Sequence, residues 1–137
     1  MNRSRKSSRK KPEKKSSAKS AIYIIILIIA LGVIGFFFMG EFTFRNDFNT
    51  AVNELDSAFQ NNDDKTIKEC MVKLEELKKN NLSKKERVEP INENLKKCYR
   101  HLSSNPSITH KERLEYLKNI NELDPESLSP IDKKLIE

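Results

Sequence analysis

The hydrophobic pattern divides the chain into three unlike stretches. From Ala21 to Met39 the sequence AIYIIILIIALGVIGFFFM runs nineteen residues without a charge, and thirteen of them are Ile, Leu, Val or Phe. As a helix rising about 1.5 Å per residue, this stretch is about 28 Å long, close to the hydrocarbon thickness of a bilayer. It has no polar face, which separates it from the amphipathic helices of a soluble core. A cleaved signal peptide has a related layout, with a basic start before an apolar run. Here the run is longer than a signal-peptide core, and it ends in Phe36-Phe37-Phe38-Met39-Gly40 instead of a small-x-small site. No cysteine follows closely to accept a lipid. The expectation is an uncleaved transmembrane helix over residues 21–40.

Beyond it the period changes to that of amphipathic helices. Phe48, Ala51, Val52, Leu55 and Phe59 recur at three- and four-residue spacing, as one face of a helix does. Asn61-Asn62-Asp63-Asp64 interrupts this pattern and offers Asp63 or Asp64 as the next N-cap. Ile67, Cys70, Met71, Leu74 and Leu77 make a second stripe, closed by Lys78-Lys79 with the sign that a helix C-terminus favours. Ser83 and Glu86 have capping-box spacing ahead of a third stripe, Val88, Ile91, Leu95, Cys98, Tyr99 and Leu102. Pro90 lies within that third stretch and is expected to kink or restart it.

Ser103-Ser104-Asn105-Pro106 ends the third helix, and Thr109 with Glu112 forms a second capping box before Leu114, Leu117 and Ile120. Asp124-Pro125 stops the fourth helix, and Ser129-Pro130 opens a short last one. No window alternates as a strand does. The predicted fold class is all-α: a single N-terminal transmembrane helix followed by a small extracytoplasmic helical bundle or stacked helical hairpins. Residues 41–137 would hold about four to five helices joined by short loops. Ala51 to Leu77 resembles helical hairpins in general, and no repeat copy follows it.

Charge sharpens this division. The 137 residues carry a net +6. Residues 1–20 hold nine basic residues (Arg3, Arg5, Lys6, Arg9, Lys10, Lys11, Lys14, Lys15, Lys19) against Glu13, a balance of +8. Residues 41–137 hold 17 basic and 19 acidic residues, a balance of −2. The positive charge therefore belongs to a tail and not to a folded surface, which argues against a nucleic-acid-binding domain. The tail lacks an apolar stripe and is predicted to be disordered and cytoplasmic. Its basic residues would set topology and rest on anionic lipid headgroups, each worth about 1 kcal/mol near the surface. Between Glu41 and Gln60 the only basic residue is Arg45, so the positive-inside rule orients 41–137 outward. The expected location is the plasma membrane, single-pass and type II. The abundance of Lys, Asn and Ile points to an AT-rich coding sequence and a bacterial cell envelope.

Candidate chemistry is sparse. Cys70 and Cys98 fall on apolar faces of successive helices. If these fold back around Leu82, Cys70 lies opposite about residue 94, one turn (~5.4 Å) short of Cys98. Two outcomes stay open: a disulfide, given a shifted register or the Pro90 kink, or two buried free thiols. Cys98-x-x-His101, with His110 and Cys70, has poor spacing for zinc, so neither metal nor cofactor is expected. The three glycines lie in or beside the apolar helix, which leaves no phosphate loop. Asn81-Leu82-Ser83 spells an N-glycosylation acceptor in a predicted loop.

With no catalytic constellation visible, the expected function is non-enzymatic. A membrane-anchored outer domain would mediate protein–protein interaction in a membrane or envelope complex with an unknown protein partner. Phe42, Phe44, Tyr99 and Tyr116 are the candidate contact residues. The alternative is a regulatory adaptor working through its polybasic tail on anionic lipid, nucleic acid or a cytoplasmic protein.

Overall fold

The computed structural model describes residues 17–137, with side chains from Ser20 onward. The predicted tail, including Arg3, Arg5, Lys6, Arg9, Lys10, Lys11, Lys14, Lys15 and the Lys19 side chain, lies outside the described residues. Among those described, five α-helices and one 3-10 turn occur, without strands. They are α1 (Ser17–Asn61), α2 (Asp64–Asn80), α3 (Lys85–Ser104), α4 (His110–Leu123), the 3-10 turn Pro125–Ser127, and α5 (Pro130–Ile136). The chain divides into two compact units, one ending at Glu41 and the other running from Phe42 to Glu137.

The first unit contains the apolar part of α1. Its most apolar eighteen-residue window has a mean hydropathy of 3.0 and none of it is buried. The large apolar side chains from Ile22 to Met39 are 51–79% exposed. By length and composition this is the one helix among the described residues able to cross a membrane.

The second unit begins with the remainder of α1, whose inward face is Phe44, Ala51, Leu55 and Ala58. Phe48, Val52 and Phe59 flank it half-buried, so the observed stripe is the predicted one turned slightly toward its small residues. Asn62 then adopts φ 52°, the left-handed conformation that asparagine tolerates better than most residues. This reverses the chain and leaves Asp63 as the N-cap of α2. Its carboxylate accepts from the Thr66 amide at 3.2 Å and from the Thr66 hydroxyl at 2.7 Å.

The start of α3 departs from the capping-box expectation. Its N-cap is Lys84, with no side-chain cap, and Ser83 precedes the helix. The Lys84 amide instead donates to the Asn81 carbonyl at 2.9 Å, so a backbone turn takes the place of the box. α3 runs through Pro90 without interruption. Pro90 is the sixth residue of the helix, so the one bond it forfeits is to the carbonyl of Glu86, an exposed first-turn residue that water can serve.

The remaining caps follow the sequence. Thr109 and Glu112 form the reciprocal box at α4, with the Glu112 amide 3.2 Å from Thr109 Oγ1 and the Thr109 amide 2.9 Å from Glu112 Oε2. Ser129 caps α5 by accepting from the Asp132 amide at 3.1 Å.

α3 packs against α2 on one side and α4 on the other, while α4 also receives the 3-10 turn and α5. Leu55, Ile67, Leu74, Ile91, Leu95, Leu102 and Ile120 are the largest fully buried side chains of the shared core. Truncating Ile91 to Ala should therefore cost about 2–5 kcal/mol, whereas Ile131→Ala, 74% exposed in the wild type, should change little. Likewise Thr109→Ala should cost about 1 kcal/mol and Ser83→Ala less than about 0.5 kcal/mol. Denaturant midpoints of the full chain in detergent micelles check both pairs.

Candidate functional site

A polar concavity of the second unit lies where the α1–α2 turn meets the end of α3. Asn62, Asp64, Arg100, His101, Ser104 and Asn105 line a cleft of about 530 Å³. The reversal at Asn62 puts Asp64 in the first turn of α2, facing the last turn of α3. There its carboxylate meets two groups: His101 Nε2 lies 3.2 Å from Oδ1, and Asn105 Nδ2 donates to Oδ2. The His101 ring rests against Phe59 with centroids 5.2 Å apart. Ser104 donates to the Arg100 carbonyl at 2.9 Å, and Arg100 Nη2 donates to the Ser127 carbonyl at 3.2 Å. The cleft is a tie between three chain segments, with Asp64 engaged by His101 and Asn105 and Arg100 by the Ser127 carbonyl.

A second polar centre was not legible in the charge pattern. Arg87, in the first turn of α3, is only 8% exposed. Its guanidinium carbon sits 4.6 Å from the centroid of the Phe44 ring, and Nη1 donates to Asn81 Oδ1 at 2.8 Å. Asn81 in turn donates through Nδ2 to the Leu77 carbonyl at 2.8 Å. Arginine suits this place because its planar group stacks on an aromatic face while still reaching a hydrogen-bond partner. The sequence signal was the spacing Arg87, Ile91, Asn94, Cys98, which continues a buried helical face through a charged residue. The same contacts change the meaning of the Asn81-Leu82-Ser83 acceptor: its asparagine is buried and both ends of its amide are engaged.

Of the four candidate contact aromatics, three lie in the core. Phe44 stacks on Phe48 with centroids 5.8 Å apart, and Tyr99 stacks on Tyr116 at 6.1 Å. Phe44, Tyr99 and Tyr116 are at most 9% exposed, so their surface is spent within the unit, whereas Phe42 is 74% exposed. Tyr99 donates to Glu75 Oε1 at 2.6 Å, and burial followed by that carboxylate pushes its pKa well above the ordinary phenol value.

Cys70 and Cys98 are free and fully buried. Burial, then the charge of Cys70, pushes the Cys98 thiol up to about 12. Burial also raises Cys70, whose Sγ lies 3.9 Å from Glu54 Oε2. His101 turns to Asp64 and His110 is exposed at the start of α4, so the residues considered for zinc do not converge. Among the described residues no three potential ligands gather.

At the rim, Lys96 bridges Glu93 at 2.9 Å and Asp124 at 2.8 Å, tying α3 to the end of α4. Its hydrogen bond holds the Asp124 carboxyl below the usual range, and capping bonds do the same for Asp63 and Glu112.

No family model, curated protein or solved structure matches this chain.

The three lowered carboxyls give a signed pH dependence. Each has a folded pKa below its unfolded value of about 4, so its contribution is present above that value and lost as pH falls through the folded one. Stability should hold from about pH 8 to about 5 and decline below about 4.5, and Thr109→Ala should flatten part of that decline. Urea midpoints measured across this range test it.

Proposed function

We propose that this chain is a non-enzymatic, single-pass, type II membrane-anchored protein whose outer helical domain mediates protein–protein interaction in a membrane or cell-envelope complex. The observation that carries the proposal is the apolar stretch of α1. Its large side chains stand exposed over a bilayer's length, and leaving such a surface in water costs roughly 25 cal/mol for each Å². The charge asymmetry supports the orientation, with +8 in residues 1–20 and Arg45 as the only basic residue from Glu41 to Gln60. On this reading the N-terminus lies in the cytoplasm and residues 41–137 lie outside.

Phe42 remains a candidate contact, and the exposed Ile131 and Leu135 on α5 join it, four residues apart on one face. The nine basic residues of the tail favour a second role, in which the tail engages anionic lipid, nucleic acid or a cytoplasmic protein.

Protease added to intact cells should degrade the 42–137 unit and spare an epitope placed at the N-terminus. Protection of the unit with loss of the epitope would reverse the topology. A photo-crosslinker at Phe42 or Ile131 should capture a discrete protein in intact membranes, absent from a control carrying the crosslinker at exposed Lys118. If deleting residues 2–15, with three lysines kept for insertion, abolishes function in correctly inserted protein, the tail is the working end.

A further inference from the structure

We infer that Cys70 and Cys98 are a disulfide-forming pair that, once oxidised, joins α2 to α3 through the core of the second unit. The register of the hairpin carries this. Cross-helix contacts fall on both sides of Cys70. Toward the start of α2, Asp64 meets His101 and Asn105. Toward its end, Glu75 meets Tyr99 and Asn81 meets Arg87. Interpolating between these contacts sets Cys70 against the turn of α3 that holds Cys98. The simple fold-back around Leu82 had left the two residues a turn apart. The observed pairings, Asn81 with Arg87 among them, recover that turn. Both cysteine side chains have zero exposure and belong to the same buried cluster.

Their burial dictates when the bond forms. A thiolate, not a thiol, attacks a disulfide oxidant, and it needs access to that oxidant. In the folded unit neither condition is met. Oxidation belongs to the folding chain, before α2 closes on α3. One cysteine loses its proton and attacks a disulfide of the glutathione or thiol–oxidoreductase class, releasing one thiol. The second cysteine, deprotonated in turn, attacks the mixed disulfide, closing the Cys70–Cys98 bond and releasing the other thiol. The two electrons and both protons end on the reduced oxidant. The unit thereafter keeps the redox state in which it folded, reduced or oxidised, because exchange is sealed off. That the oxidised form prevails in the cell rests on the extracytoplasmic placement proposed above.

The test uses the full chain in detergent micelles. Reduced, denatured protein refolded with a mixture of oxidised and reduced glutathione should lose about 2 Da and yield a peptide linking Cys70 to Cys98. Native reduced protein in the same buffer should oxidise at least about 100-fold more slowly, and partial urea should restore the rate. The oxidised form should melt about 10 °C or more above the reduced form. Cys70→Ser should leave Cys98 alkylated only after denaturation.

Refolding that yields two free thiols, or only intermolecular bonds, overturns the pairing. Rapid oxidation of the native protein overturns the sealing. A chain that fails to refold is assayed instead by oxidation in partial urea, where absence of the linked peptide again overturns the pairing. Alkylation of protein taken directly from cells separates the two proposals: free thiols there, with the bond forming in vitro, reject the outward placement and leave the pairing standing.

Discussion

Everything in the second unit depends on α3 satisfying two partners at once. It must pack against α2 through one face and α4 through another, which requires apolar or hydrogen-bonded residues over a wide arc of its surface. Eight of its residues are buried, among them Arg87, Asn94 and Ser103. The polar members of that set hold their place through named bonds: Arg87 to Asn81, Asn94 to the Pro90 carbonyl, and Ser103 to the Arg100 carbonyl. A helix buried on two sides tolerates such residues only because each buried polar atom that is engaged avoids a desolvation penalty of about 1–3 kcal/mol. α2, α4 and the inner face of α1 are arranged by what α3 presents to them.

Charge works differently in the two parts of the chain. In residues 42–137 it is local, with most ion pairs lying on exposed faces, such as Lys65–Glu69 and Lys85–Glu89, where each contributes little. The pairs with more structural weight tie one helix to another: Lys73 to Glu54 between α2 and α1, and Lys96 to Asp124 between α3 and the end of α4. In residues 1–20 the charge is nearly all of one sign, nine basic residues against Glu13. A mean hydropathy of −0.68 averages these regimes with the apolar stretch and describes none of them.

The helices were legible because their ends carry local chemistry. Asp63, Thr109 and Ser129 each cap the helix that follows, and those signals act over three residues. Where a backbone turn replaced a side-chain cap, as at Lys84, the sequence misled by the same local logic. Burial was legible for aliphatic residues and not for amphipathic ones. Tyrosine can put its ring inward and its hydroxyl on a rim carboxylate, as Tyr99 does with Glu75, and the pattern alone does not distinguish that from a surface tyrosine. Arg87 was hidden for the converse reason, since a charged residue on an otherwise apolar face reads as solvated until its aromatic and amide partners are known. The register of α2 on α3 was beyond the sequence, because it shows in pairings such as Glu75 with Tyr99 and Asn81 with Arg87, which loop length alone does not specify.

The Asn81 amide has one further consequence. Its nitrogen closes the end of α2 on the Leu77 carbonyl, while its oxygen holds Arg87 against Phe44. The same nitrogen is the atom to which a glycan would be attached at Asn81-Leu82-Ser83. In the folded unit that nitrogen is buried at the end of α2, so a host that glycosylates proteins during translocation reaches it only before α2 and α3 close. A chain modified there would carry a bulky polar group at a side chain that is 9% exposed. The acceptor sequence and the folded unit are thus compatible only in the order modification first or folding first, and folding first closes the site.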